Sequence, residues 1–234
     1  MNRNILKYIA IIAMLSDHLA LTVVGMDNPL GIAMRVFGRL TAPIMCYFLV
    51  EGYIHTSSKK KYALRLLVFA FISQIPFSYF VTGRLFSDKF NMIFTLFFCL
   101  IMLMAFNEIE NRFLRVICCI GLFWLCTNCD WGIVAPLWVI VFALFRNDKK
   151  KLCIFYAFVC VFWVIRCTSI KIADGGLWYD VLWQAGTLGF IPFIYLYNGK
   201  AGKNSKFSKW FFYIFYPAHI LILAVLYRNV LQFI

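Results

Sequence analysis

Apolar residues fall in long blocks separated by short polar breaks, at roughly 5–24, 32–54, 62–82, 91–106, 113–127, 132–145, 152–168, 179–197 and 211–232. A hydrocarbon core about 30 Å thick takes about 20 helical residues at 1.5 Å each. The pattern therefore predicts an all-α, polytopic membrane helix bundle of about nine transmembrane helices, forming one domain over residues 1–234. The first block, Ile5 to Val24, carries Asp17 and His18 side by side. An acid inside a span costs about 2.5 to 3.5 kcal/mol on the insertion scale. It persists where it meets a wet cavity, a partner or a reaction. No small-x-small cleavage site follows the block, so it is expected to remain as the first membrane helix.

Composition agrees with the pattern. Hydrophobic residues make up 63% and charged residues 14% of the chain, with a mean hydropathy of +0.82. Soluble domains are nearer half apolar and a quarter charged, so the expected solvent is lipid and the expected location a cell (plasma or inner) membrane. The net charge of +13 does not point to nucleic acid, whose binding needs a soluble basic surface. With a cytoplasmic N-terminus, 16 of the 23 basic residues fall in inner segments, at the N-terminus and at 55–65, 107–115, 146–151 and 198–209. That asymmetry obeys the positive-inside rule. The nine cysteines lie mostly within spans. Cys126 and Cys129 form a CxxC near the outer face that is able to close a disulfide in an oxidising compartment. With no second CxxC and no nearby His, a metal is not expected.

Candidate chemistry gathers at one depth. Arg35 and Arg39 are four apart on the second helix and share a face level with Asp17 and His18. Gly38 permits close helix approach, and Pro43 predicts a bend between the arginines and the inner half. Glu51, near the inner end, is expected to pair with Arg65 or the lysine run. Gln74, Asn91, Thr95, Asp130 and Gln184, from other helices, fall in the same outer third, while Tyr216 and His219 are expected lower, in the inner half to middle. Taken singly, Gln74, Thr95 and Gln184 read as interhelical glue, Asp17 with Arg35 and Arg39 as a structural ion-pair cluster, and His18 as a satisfied buried imidazole. Together, a titratable base beside an acid and two cations is what an active site needs. Adjacent helical residues point about 100° apart, so Asp17 is expected to bridge to Arg35 or Arg39 and leave His18 facing a cavity.

Several motifs resemble one family from end to end. They are Asp17-His18, Arg35-Val-Phe-Gly-Arg39-Leu-Thr-Ala-Pro43, Glu51-Gly52-Tyr53-Ile54-His55-Thr56, Tyr62 to Leu66 and Ser73-Gln74-Ile75-Pro76-Phe77. Asn91-Met-Ile-Phe94-Thr95-Leu96, Tyr197-Asn198-Gly199-Lys200 and Phe211-Phe212-Tyr213-Ile214-Phe215-Tyr216-Pro217-Ala-His219 complete the set. In order and content they resemble the TraX family, many of whose members carry a tyrosine where this chain has Trp131. The resemblance implies a multi-spanning acetyltransferase, similar to the family member that acetylates the N-terminus of a conjugative pilin subunit. The implied co-substrate is acetyl-CoA, and the implied acceptor an outward-facing peptide amine or an envelope sugar hydroxyl.

On that reading Lys59 to Lys61, Arg65, Lys200 and Lys203 would hold the CoA phosphates at the inner face, and Tyr216 and His219 would line the path of the pantetheine arm. His18 would act as general base, with Arg39 or Asn91 donating to the oxyanion. The rival class is a proton-coupled transporter or flippase that uses Asp17, His18 and the arginines as a relay.

Overall fold

The computed structural model describes residues 1–200, 202 and 206–229, so part of the basic segment 198–209, Lys203 included, and the end of the last expected span, 230–232, lie outside the described residues. Among the described residues the architecture is all-α, with an isolated bridge between Phe90 and Cys129 and no strand. Helix α1 (Arg3–Leu19) runs into a π turn (Ala20–Val24) and is followed by α2 (Pro29–Gly38), α3 (Thr41–His55) and α4 (Lys59–Thr82). Then come α5 (Met92–Glu108), α6 (Arg112–Cys126), α7 (Val134–Leu144) and α8 (Lys149–Ala173). A 3₁₀ run (Trp178–Phe190) leads into α9 (Ile191–Leu196), and α10 (Lys206–Asn229) closes the described chain. Every expected span is occupied by helix within these limits.

Local chemistry explains where the helices start. Asn2, Asn28, Ser58, Asn91, Asn111 and Asp148 are N-caps whose side-chain oxygens accept a first-turn backbone N–H. The span expected at 32–54 is two helices. Its break lies at Arg39–Leu40, between the arginine pair and the rest of the span, where Pro43 leads one to expect a bend. Pro43 has no N–H to give the Arg39 carbonyl four residues back, and its ring crowds that carbonyl. The chain therefore ends α2 and starts α3 with Pro43 in the first turn. The span expected at 179–197 is mostly a 3₁₀ run rather than an α-helix. Gly186 explains part of this: a Cβ there would lie 2.1 Å from the Val36 carbonyl oxygen, so the run presses directly on α2.

The apolar core is centred on Trp138, Phe142, Tyr156 and Phe190, all fully buried, with Phe142 and Tyr156 stacked at 5.5 Å. These side chains join α7, α8 and the 3₁₀ run. On the other side of the bundle α4 packs against α5 and α10, and α1 against α2 and α3. The outside is apolar too, with Phe113 76% and Phe158 72% exposed, as suits a surface against lipid. Among the described residues four stretches are long and apolar enough to cross a membrane: Arg3–Val24, Pro29–His55, Lys59–Thr82 and Lys149–Ala173.

One expected pairing differs from the one observed. Glu51 accepts from Arg146 Nε at 2.9 Å, and His55 Nε2 lies 3.7 Å from its other oxygen. The partner is thus neither Arg65 nor a lysine, because the turn after α7 brings Arg146 to the C-terminal end of α3. Cys126 and Cys129 are unbridged thiols, as are the other seven cysteines.

Candidate active site

The end of α1 and the whole of α2 bring an acid and two cations together. Asp17 Oδ2 accepts from Arg35 Nη1 at 2.8 Å and from Arg39 Nη2. All three residues are buried, and Gly38 is what permits the approach: a Cβ there would lie 2.5 Å from Asp17 Cβ and Oδ1. Aromatic faces complete the enclosure. The Trp183 ring lies 4.0 Å from the Arg35 guanidinium and 4.7 Å from that of Arg39, and the Trp131 ring lies 4.6 Å from Arg39. Trp131 reaches this position from a left-handed backbone conformation, φ +66°. Asp17 Oδ1 and the Nε atoms of both arginines have no hydrogen-bond partner among the described residues.

One residue on, His18 points elsewhere, as its neighbour's geometry requires. Its Nδ1 lies 2.9 Å from His219 Nε2 on α10, and the two rings stack at 5.0 Å. His219 Nδ1 in turn lies 2.7 Å from the Phe215 carbonyl oxygen. A carbonyl can only accept, so His219 Nδ1 carries the hydrogen of that bond. The Nε2 of a neutral His219 is then an acceptor, and the hydrogen between the rings belongs to His18 Nδ1. The lone pair of His18 sits on Nε2, which makes no hydrogen bond among the described residues. The ring lines a cavity.

Two cavities lie end to end. The near cavity, at the end where α1 begins, has a volume of about 520 Å³ and carries Arg3, Lys7 and Arg65 in its wall. The far cavity, of about 480 Å³, is lined by Asp17, His18, Arg35, Arg39, Asp130 and Gln184 among others. Met14, Thr41, Met92 and Tyr216 line both, so these four side chains form the partition. Tyr216 is buried, and its hydroxyl accepts from Met92 N–H at 3.3 Å. Asp130 lies in the loop before α7, where its Oδ1 accepts from Trp131 N–H at 3.1 Å. Burial pushes its carboxyl up to about 6, aided by Asp17 and opposed by Arg39, the Trp131 N–H and Lys89.

The remaining expected residues divide by position. Asn91 is fully buried and committed: its amide donates to the Ala70 carbonyl at 2.8 Å and to Gln74 Oε1 at 2.9 Å, and its oxygen caps α5. With both amide hydrogens used, it is not placed as an oxyanion donor. Gln74 donates to Ser78 Oγ and to the Lys89 carbonyl, and Thr95 holds the Asp130 carbonyl at 2.7 Å. Neither lines either of these two cavities; both position the loops around the far one. Gln184 does line it, and accepts from Trp163 Nε1 at 3.3 Å. At the near end Arg65 donates to Tyr213 Oη at 3.0 Å inside the cavity wall. Lys61 and Lys200 are exposed and, with Lys59 and Lys60, line neither cavity; Arg3 and Lys7, given no such role in the sequence, take their place. His219 stands level with His18 rather than below it, because α10 crosses beside the π turn that ends α1. Trp183, Trp163 and Arg166 also border the far cavity, signalled in the sequence only by aromatic and basic residues near span ends.

No solved structure matches the chain. It is 33% identical over 239 residues to the probable fimbrial assembly protein FimC, serogroup H1, of Dichelobacter nodosus, an alignment that covers 96% of this chain and 97% of that protein. The family model described as TraX protein matches residues 2–227, nearly the whole length, and the chain belongs to the TraX family.

Proposed function

We propose that this protein is a multi-pass inner-membrane acetyltransferase with a cytoplasmic N-terminus, moving an acetyl group from cytosolic acetyl-CoA to the N-terminal amine of an outward-facing, pilin-like peptide. The observation that carries the reading is the pair of cavities placed end to end, basic at one end and bordered by an imidazole lone pair just beyond the partition. Acetyl-CoA is too highly charged to cross a bilayer. Its phosphates would stay with Arg3, Lys7 and Arg65 while the pantetheine arm runs up the near cavity towards Tyr216 and Met92. A relative named for fimbrial assembly supports a peptide acceptor over a sugar hydroxyl.

In this mechanism His18 Nε2 takes a proton from the acceptor amine as its nitrogen attacks the thioester carbonyl. The new C–N bond gives a tetrahedral intermediate whose oxyanion is stabilised by the Arg39 guanidinium, which lines the far cavity and is held by Asp17. The C–S bond then breaks, and the CoA thiolate leaves with the proton that His18 returns. Asp17 keeps Arg39 in place and takes no part in proton transfer.

Purified protein in nanodiscs, given acetyl-CoA labelled in the acetyl group and a short peptide with a free N-terminus, should yield labelled peptide. His18→Ala should lower the rate by about 10²- to 10⁴-fold while leaving thermal unfolding unchanged. Wild-type rates from that variant would remove the mechanism. Uptake driven by a pH gradient in sealed vesicles, with no need for CoA, would favour transport instead.

A further inference from the structure

The far cavity has more cations than its acids can match. Arg35, Arg39, Lys89 and Arg166 line it, against Asp17 and Asp130. Asp17 is taken up by Arg35 and Arg39 together, through one oxygen. Arg166 stands 5.6 Å from the Trp163 ring and meets no carboxylate among the described residues. The ammonium of Lys89 likewise makes no close ion pair there, its charge reaching Asp130 only at longer range. Hydrogen bonds hold the Lys89 backbone and the ring beside Arg166. The Lys89 carbonyl accepts from Gln74 Nε2 at 2.8 Å and from Ser87 Oγ at 3.0 Å, and Trp163 is held through Nε1 to Gln184.

A wall of this kind repels a bare ammonium ion. It also lowers the pKa of an amine brought against it, from about 7.7–8.0 for a free N-terminus, and so favours the neutral nucleophile that attack requires. What it lacks is an anion on the incoming chain. We propose that Arg166 and Lys89 form an acceptor subsite for a carboxylate carried within the first few residues behind the free amine, an inference that rests on the acetyl-transfer reading above. The carboxylate cancels the repulsion on entry and, bound at the rim by charge-assisted hydrogen bonds, aims the amine at His18 Nε2.

The test uses short peptides with a free N-terminus and one Asp among their first residues, each against its Asn counterpart, on the full-length protein in nanodiscs. Wild type should acetylate the best Asp peptide with a kcat/KM about tenfold above that of the Asn peptide, the size of one charge-assisted contact. The double variant R166Q/K89Q should shrink that ratio to within about twofold. R166E should favour a Lys peptide over the Asp one, a reversal that lost folding cannot produce. Equal rates for Asp and Asn peptides in wild type, or a preference that survives in R166Q/K89Q, would overturn the subsite. Acetylation of an acidic envelope glycan with every peptide inert would overturn it as a peptide site. If nothing is acetylated, the acetyl-transfer reading fails separately. Quenching of tryptophan fluorescence then decides the subsite: tighter binding of Asp than Asn peptides, lost in R166Q/K89Q, supports it, and equal binding removes it.

Discussion

His18 and His219 stand 201 residues apart in the chain and meet ring to ring, Nδ1 to Nε2, at 2.9 Å. Because His219 is anchored on the Phe215 carbonyl, the contact sets which nitrogen of His18 holds the lone pair. His219→Leu removes the acceptor and frees the His18 ring to turn or change tautomer. The rate of acetyl transfer should fall by about 10²-fold with the KM for acetyl-CoA unchanged, a smaller loss than the ~10⁴-fold seen when a catalytic triad loses its tautomer-setting carboxylate. His219→Gln keeps an acceptor oxygen at similar reach and should recover a substantial part of the rate. Equal losses in the two variants would assign His219 to packing alone.

Asp17 compensates two buried guanidinium groups that sit four residues apart on one helix face. Asp17→Asn leaves them facing each other with no counter-charge. Breaking a buried pair in this way costs about 3–5 kcal/mol. The midpoint of thermal unfolding in detergent should drop accordingly, and adding Arg35→Gln should restore part of it by removing one of the stranded charges. An unchanged midpoint in Asp17→Asn would show that the cluster contributes nothing to the fold.

Asp130 makes the stability depend on pH. Its folded carboxyl is pushed up to about 6 by burial, above the ordinary 3.8, with Arg39 and Lys89 facing it as cations and Asp17 as a like charge. A raised acid contributes its stability fully below the unfolded value and loses it as pH rises through the folded one. Between about pH 4 and 6 the fold should therefore weaken by an amount on the order of 2 kcal/mol from this group. Asp130→Asn should flatten that slope, as read from denaturation midpoints across the interval. A slope as steep as that of wild type would place its origin elsewhere.

The apolar blocks showed where helices would stand because lipid-facing and core-facing positions are both apolar, so span limits need no tertiary information. The Asp17–Arg35–Arg39 cluster was legible for a related reason: two arginines at helical spacing inside a span need an acid, and Asp17 stands at their depth. The partners that were not legible are those set by loops and crossings. Arg146 reaches Glu51 across 95 residues through a turn, and His219 rises to His18 through the placement of α10, which hydropathy does not encode. The 3₁₀ run was hidden because its residues carry the apolar content of an α-helix. Only the contact of Gly186 with Val36 shows why the segment follows α2 so closely.

Arg65 offers the sharpest test of which end takes the nucleotide. Its Nε–H is spent on Tyr213 Oη at 3.0 Å, and its guanidinium lies 5.2 Å from the Tyr62 ring and 5.4 Å from the Tyr213 ring. Held in this way, its remaining N–H groups are oriented for a phosphate at little further entropic cost. Arg65→Gln should raise the KM for acetyl-CoA about tenfold, the worth of one charge-assisted contact, while kcat and the KM for the acceptor stay within about twofold. Arg65→Lys should recover less than its charge suggests, because an ammonium lacks the fork and stacks poorly between the two rings. Acetyl-pantetheine, which carries the thioester without the nucleotide phosphates, separates phosphate binding from structure. Wild type and Arg65→Gln should have the same KM for it, since Arg65 has nothing to hold. An equal KM penalty with both donors would mean that Arg65 shapes the near cavity through Tyr62 and Tyr213 and leaves the phosphates to other cations.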